Sequence, residues 1–210
     1  MTKKLKLLTL CLAVILAAGS TSFAALELEA PEWRGTEGST FQQWSFSGPD
    51  LNPPPDPGFD NDYGMPMLTV KPMPGADWRP NPGAWPLSGQ IDMYIPNNPQ
   101  PNDMKEIWLQ LIWKTEDLDP SFTMPDQPWV AVLPFTNMDM SRNDTTEGGW
   151  TLSLFRINLY PNPPAEWITI KGDIIVDHLA IDTRCVPEPA TVALLGLGAL
   201  VVFRRKRLHA

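Results

Sequence analysis

Proline is the residue that most restricts how this chain can fold. Twenty-four of the 210 residues are proline, and most of them fall in the segments 48–66, 72–86 and 96–103. Because proline fixes φ and lacks a backbone N–H, we expect these segments to be long, stiff loops. The apolar runs between them are short, and none keeps a helical period. The sequence therefore predicts strands joined by proline-rich loops.

Eight short runs have the composition of β-strands. The clearest, 106–114, is apolar at nearly every position, as expected for a central strand buried on both faces. The other seven are 41–46, 67–70, 90–95, 129–133, 150–160, 167–170 and 173–182. In 150–160 the apolar alternation changes face between Leu154 and Phe155, which predicts a β-bulge there. The pattern predicts an all-β fold, a single β-sandwich that is jelly-roll-like and galactose-binding-like.

Residues 1–24 have the layout of a secretory signal peptide. An apolar run covers 7–18, and Ser22 and Ala24 are small residues at positions that a signal peptidase accepts before its cut. The lysines that precede the apolar run are Lys3, Lys4 and Lys6. A lipoprotein signal at Cys11 is the alternative, but a large residue precedes that cysteine and the apolar run continues beyond it. We expect cleavage by signal peptidase after Ala24.

The chain ends with a proline-flanked acidic motif, an apolar stretch over 190–203 and a basic cluster. The motif residues are Val186, Pro187, Glu188 and Pro189, and the basic residues are Arg204, Arg205, Lys206 and Arg207. This order resembles the PEP-CTERM sorting signal, which implies that 186–210 is recognised by an exosortase. The resemblance implies cutting near the motif and delivery of the preceding domain to the cell envelope or extracellular matrix.

The physical properties of this tail fit a transient membrane role. Its 14 uncharged residues would make a helix of about 21 Å, shorter than the roughly 30 Å hydrocarbon core. The basic cluster would stay on the cytoplasmic side and leave everything upstream outside. The two prolines of the motif favour an extended, accessible backbone. We therefore expect a short transmembrane helix that anchors the chain only before processing.

Residues 25–185 remain as one exported domain of ordinary size. Of the whole chain's 16 basic and 24 acidic side chains, the two end segments hold 7 basic and 1 acidic, which leaves 9 and 23 in the domain and a net charge of about −14. Such a surface repels phosphate backbones, so nucleic acid is excluded as a partner. After signal cleavage Cys185 is the sole cysteine, so no internal disulfide can form. We interpret it as a small residue ending the last strand, or as an intermolecular disulfide or attachment point.

The residues that could carry catalysis are few. His178 is the one histidine of the domain, and no Gly-x-Ser-x-Gly motif accompanies it, so we interpret it as structural. A glycan hydrolase would need two facing carboxylates. The carboxylates to consider for that role are Glu116, Asp117, Asp119 and Glu166. None is marked by its spacing, so the sequence predicts no catalytic site and no enzyme activity.

Two segments concentrate the oxygen ligands that calcium prefers. One is 56–64, with Asp56, Asp60 and Asp62; the other is 139–147. Neither has EF-hand spacing, and Asp, Asn and Gly are also ordinary turn residues. Calcium is therefore the one cofactor that the sequence suggests.

Nine tryptophans all lie in the exported domain. Those in predicted strands, including Trp129 and Trp167, are most simply core residues. Trp78 and Trp85 lie instead in a proline-rich loop beside Asp77 and Asn81, where exposed rings could stack on sugars. The alternative is that these two rings cover the open edge of the sandwich.

Together these observations predict an exported, exosortase-processed surface or matrix protein without a catalytic role. The alternative is a module that binds carbohydrate, an exopolysaccharide in particular, through Trp78 and Trp85, with or without calcium. A glycan hydrolase is the third reading.

Overall fold

The computed structural model describes residues 26–72, 74–80, 83–86, 89–98, 104–115, 127–133 and 137–186. Within these ranges every regular element is a β-strand, and no helix is present. The strands are β1 (Ser39–Ser45), β2 (Met67–Lys71), β3 (Trp85–Pro86), β4 (Gly89–Pro96), β5 (Met104–Thr115), β6 (Trp129–Leu133), β7 (Met138–Glu147), β8 (Trp150–Leu159), β9 (Ala165–Gly172) and β10 (Ile174–Val186).

The strands form two antiparallel sheets that pack as a sandwich. Sheet A has the order β1-β10-β5-β8-β7, with β3 paired to β10, and sheet B has the order β2-β4-β9-β6. Early and late strands are neighbours in both sheets, so the connections are long-range. The predicted all-β sandwich is confirmed, while the jelly-roll detail stays a prediction.

All eight predicted strands are present, and two more join them. β3 was expected to be loop. β7 occupies the second segment proposed for calcium, 139–147, so that segment is a strand and not a loop. Its backbone is paired to β8 along its whole length, from Met138 opposite Leu159 to Glu147 opposite Trp150.

The predicted bulge in β8 is wrong. β8 pairs with β5 without a shift from Leu159 to Thr151, and Leu152 and Leu154 are buried on the outer face while Phe155 is buried in the core. The apolar positions switch from even to odd numbers after Leu154 because β8 is covered on both of its faces. A register shift occurs instead in β10, between Val176 and His178.

The core lies between the inner faces of the two sheets. Sheet A contributes alternate residues of β5 such as Leu109 and Leu111, and sheet B contributes Ile91, Ile168 and Ile170. Each of these side chains is fully buried, which stabilises the fold by about 2 kcal/mol per aliphatic side chain.

Residues 26–34, which we call the covering segment, cross the outer face of sheet A. The Glu29 backbone N–H donates to Gln110 Oε1 at 2.6 Å, and Gln110 Nε2 donates back to the Glu29 carbonyl at 2.7 Å. Arg34 donates to both oxygens of Asp182, at 2.5 and 2.7 Å. Trp33 packs edge-to-face on Trp108 with ring centroids 6.2 Å apart. These contacts leave the outer face of sheet A largely covered.

Candidate binding surface on sheet B

The outer face of sheet B is exposed, and strand alternation arranges its side chains in three rows. In β9, Ile168 and Ile170 point into the core, so Trp167, Thr169 and Lys171 point outward. The strand register then extends each row across all four strands. The first row is Met67, Tyr94, Trp167 and Leu133; the second is Thr69, Asp92, Thr169 and Ala131; the third is Lys71, Gln90, Lys171 and Trp129.

Large apolar side chains stand exposed at both ends of this face. Trp167 is 51% exposed and Trp129 52%, and Met67 and Leu133 are exposed in the same row as Trp167. The Trp167 ring rests against Tyr94 with centroids 4.7 Å apart and planes tilted by 48°. Trp129 and Trp167 belong to rows that are four residues apart along the strands, which is about 13 Å. The face therefore carries two aromatic platforms separated by a polar row.

The polar row is organised around Asp92. Its carboxylate accepts hydrogen bonds from Thr169 Oγ1 at 2.7 Å, from Lys71 Nζ at 2.5 Å and from Gln90 Nε2 at 2.8 Å. Partial burial alone would raise the pKa of Asp92, but these hydrogen bonds and the Lys71 charge outweigh it and lower the pKa below its usual value. Asp92 is therefore a fixed anion at neutral pH.

A shallow concavity of about 490 Å³ lies over the first two rows. Its floor includes Asp92, Tyr94, Trp167 and Thr169, so a bound molecule would meet ring faces and hydrogen-bonding groups together. Lys171 lies 5.8 Å from the centre of the Trp129 ring and completes the polar rim on the other side.

Trp129 and Trp167 of this face were predicted to be core residues. Trp78 and Trp85 had two interpretations: exposed rings that stack on sugars, or rings that cover the open edge of the sandwich. The prediction for Trp129 and Trp167 is wrong, because both rings are about half exposed. Trp85 forms β3 against β10 and is only 4% exposed, so it cannot offer a ring face to a sugar. Trp78 is half-buried against the core and donates its Nε1–H to the Phe46 carbonyl at 3.0 Å. One feature of the sequence did indicate that Trp167 is exposed: it alternates in step with Thr169 and Lys171, which are polar.

The acidic segment 56–64 is bound to the neighbouring strand. Asp56 accepts from the backbone N–H and the hydroxyl of Ser45, both at 3.0 Å, and Asp60 exchanges backbone hydrogen bonds with Phe41. Among the described residues, no three His, Cys, Asp or Glu side chains are grouped so as to hold a metal ion. Calcium at Asp56, Asp60 and Asp62 stays a prediction.

The carboxylates considered for glycan hydrolysis are either buried or outside the described residues. Glu166 is completely buried, so it cannot face a substrate groove; Glu116, Asp117 and Asp119 lie outside the described residues.

His178 lies in β10 and contacts Asp177 Oδ2 through Nδ1 at 2.8 Å. This contact raises the pKa of the imidazole against the opposing effect of burial. Cys185 is a free, half-buried thiol near the end of β10.

Most of the sorting signals fall beyond the part of the chain that the structure describes. This holds for residues 1–24, for Pro187, Glu188 and Pro189 and for the whole of 190–210; Val186 is the last described residue and ends β10. Among the described residues, no helix is long and apolar enough to cross a membrane.

Comparison with known proteins identifies the C-terminal segment. A family model described as the PEP-CTERM protein-sorting motif matches residues 186–207. No curated protein and no solved structure matches the chain. The matched segment contains the Pro-Glu-Pro motif, the apolar stretch and the basic cluster in the expected order. The chain therefore carries a PEP-CTERM sorting motif, which makes it an exported protein sorted by an exosortase toward the cell envelope surface.

Proposed function

We propose that the exported domain is a non-catalytic envelope or matrix protein that holds polysaccharide on the outer face of sheet B. The observation that supports this most is the pair of exposed aromatic platforms, at Trp167 with Tyr94 and at Trp129, on either side of the Asp92 row. Sugar rings present apolar C–H faces and a rim of hydroxyls. A rigid face with rings at its ends and fixed hydrogen-bonding groups between them is complementary to both.

The charge of the domain narrows the class of polysaccharide. With a net charge of about −14, the domain repels a polyanion at long range, even though Lys71 and Lys171 lie on the face itself. The polysaccharide is therefore expected to be neutral. Strands hold all the contacting side chains, so little conformational freedom is lost on binding.

Under this proposal, both end segments serve export and sorting and are absent from the mature domain. Signal peptidase would remove 1–24, and an exosortase would act at the motif that follows β10. The short tail helix would hold the domain at the membrane only until then. The mature domain would stay at the cell surface or in the matrix through the sugar chain that it binds.

Affinity electrophoresis through gels containing neutral exopolysaccharide from the host tests the proposal. We expect the wild-type protein to be retarded and the Trp129→Ala, Trp167→Ala double variant to lose at least tenfold in affinity, as expected when central aromatic contacts are removed. Trp78→Ala is the matched control and should be retarded like the wild type. Adding calcium or a chelator should change nothing on this surface.

Three results would contradict polysaccharide binding on the outer face of sheet B. Loss of retardation in Trp78→Ala alone would move the site to the loop. Calcium dependence would favour the segment at Asp56, Asp60 and Asp62. An unretarded wild type would refute polysaccharide binding and leave a structural protein with a protein partner.

A further inference from the structure

A cluster of polar side chains lies inside the sandwich, at the end where β10 meets the sorting motif. Lys105 of β5 and Glu166 of β9 are both fully buried, and Asn97, which follows β4, is 4% exposed. Lys105 Nζ lies 2.5 Å from Asn97 Oδ1 and 3.6 Å from Glu166 Oε1. A buried amine is thus in contact with a carboxamide, and a buried carboxyl group lies beside them.

Among the described residues, Lys105 and Glu166 form a long ion pair, with 3.6 Å between Nζ and Oε1. Neither carboxyl oxygen of Glu166 has a hydrogen-bond partner among the described residues. Burial raises the pKa of Glu166 to about 7, although the nearby Lys105 opposes that rise. Isolated charges at such a site are costly, so the first step of a reaction here would be the transfer of one proton from the Lys105 ammonium to the Glu166 carboxylate. That transfer leaves a neutral amine, which is a nucleophile, next to a carboxylic acid, which is a proton donor.

The Asn97 carboxamide is held in one orientation. Its Nδ2 donates to Asn162 Oδ1 at 2.7 Å and to the Pro163 carbonyl at 2.5 Å. This directs Oδ1 toward Lys105, and the Cys185 thiol donates to the same oxygen at 3.4 Å. Fixed positions of nucleophile, carbonyl and acid are the conditions under which amide exchange proceeds without an external catalyst.

We propose that Lys105 and Asn97 form an intramolecular isopeptide bond, with Glu166 as the acid and base. The neutral Nζ attacks Cγ of Asn97 while Glu166 protonates the developing oxyanion at Oδ1. The tetrahedral intermediate collapses with cleavage of the Cγ–Nδ2 bond: one proton passes from Nζ through the Glu166 carboxylate to Nδ2, which leaves as ammonia. The proton on Oδ1 returns to Glu166 as the carbonyl forms again. One C–N bond forms, one C–N bond breaks, and no oxidant is required.

The bond would fasten the two sheets to each other. Lys105 belongs to sheet A, Asn97 follows a strand of sheet B, and the chain between them is the 98–104 connection. A covalent closure there keeps that connection and the end of the sandwich intact when other contacts open. This inference concerns the interior of the domain and does not depend on what the outer face of sheet B binds.

Cyanogen bromide cleavage of the full chain tests the bond, because methionines lie at positions 93, 104 and 124. Without a cross-link, cleavage separates fragment 94–104 from fragment 105–124. With the bond, the two fragments stay joined, and their combined mass is lower than the sum by one ammonia. We expect most of the wild-type protein to give the joined fragment, with the branch mapped to Lys105 and Asn97 by tandem mass spectrometry.

Three variants sharpen the result. Lys105→Gln should abolish the joined fragment, and Lys114→Gln, the matched control on the same strand and in the same fragment, should leave it unchanged. Asn97→Asp should give a joined fragment that has lost water in place of ammonia. Two separate fragments of unmodified mass from folded wild-type protein would refute the bond, whatever the variants do. So would a joined fragment whose branch maps elsewhere.

Discussion

The two outer faces of the sandwich carry similar residues and use them in opposite ways. On sheet A, Trp108 is packed against Trp33 of the covering segment, and Arg156 lies 4.4 Å from the centre of its ring. On sheet B, Trp167 and Trp129 are half exposed. The difference lies in the covering segment, which supplies partners for sheet A and none for sheet B. Aromatic residues on a strand thus indicate a binding surface only when the fold leaves their ring faces exposed.

The largest effect is expected where the covering segment is fastened. Arg34→Ala leaves Asp182 fully buried without its cation, and should lower the free energy of unfolding by about 3 kcal/mol. Burial raises the pKa of Asp182 against the influence of Arg34, so removing the arginine favours the protonated acid. Urea titration measures the change. Adding Asp182→Asn to Arg34→Ala should restore part of the loss, and no difference between the single and double variants would contradict this account.

The second largest effect is a pH dependence of stability that comes from Glu166, which lies between the two sheets. Its pKa in the folded protein is about 7, against an ordinary value of 4.5. The folded state therefore holds a proton that the unfolded state has lost, and stability falls as the pH rises from about 4.5 to 7, by up to about 3 kcal/mol. Denaturant midpoints measured across this range provide the test. Glu166→Gln should flatten the slope, whereas Trp167→Ala should leave it unchanged; a slope that survives Glu166→Gln would assign it to another group.

Matched tryptophan variants compare the two faces directly. Trp108→Ala removes a ring with partners on both sides and should cost about 2 kcal/mol of stability. Trp167→Ala removes a half-exposed ring and should cost less than about 1 kcal/mol, while it weakens polysaccharide binding. Thermal unfolding and gel retardation measured on both variants separate the two roles. Equal destabilisation by the two variants would remove the distinction between a covered and an open face.

The smallest effect is expected at the open face's ion pair. Lys71 is largely exposed, so Lys71→Ala should change the free energy of unfolding by less than about 1 kcal/mol. Raising the salt concentration should change the stability of wild type and variant alike. A cost comparable to that of Arg34→Ala would show that sheet B also depends on its surface charges.

Much of the fold was predictable because its strands either alternate between apolar and polar residues or, as in β5, are apolar at nearly every position. The runs at Ile168 and Ile170 and at Val130 and Val132 gave their strands with nearly correct bounds. β7 was missed because nearly all its side chains are exposed or half-buried, as befits an edge strand, so its sequence has no alternation to detect. Trp85 was assigned to a loop because a strand of two residues is too short to show an alternation of apolar and polar residues.

The sites were less predictable than the strands. Trp129 and Trp167 were assigned to the core because tryptophan is usually buried, although the parity of their neighbours already placed them outside. The interior cluster joins residues from β5, β9 and the end of β4, and such proximity follows from the sheet register, which the sequence does not give. Lys105 did carry one signal, since it shares parity with the core residues Ile107 and Leu109.

The position of β10 also decides how the domain bears mechanical load. β10 ends at Val186, where the sorting motif begins, and it lies between β1 and β5 with a hydrogen-bonded ladder on each side. A pull on the C-terminal end runs along the strand, so the bonds of both ladders are sheared together and are not opened one at a time. Any attachment made at the motif would therefore pull on a strand that is hydrogen-bonded on both sides.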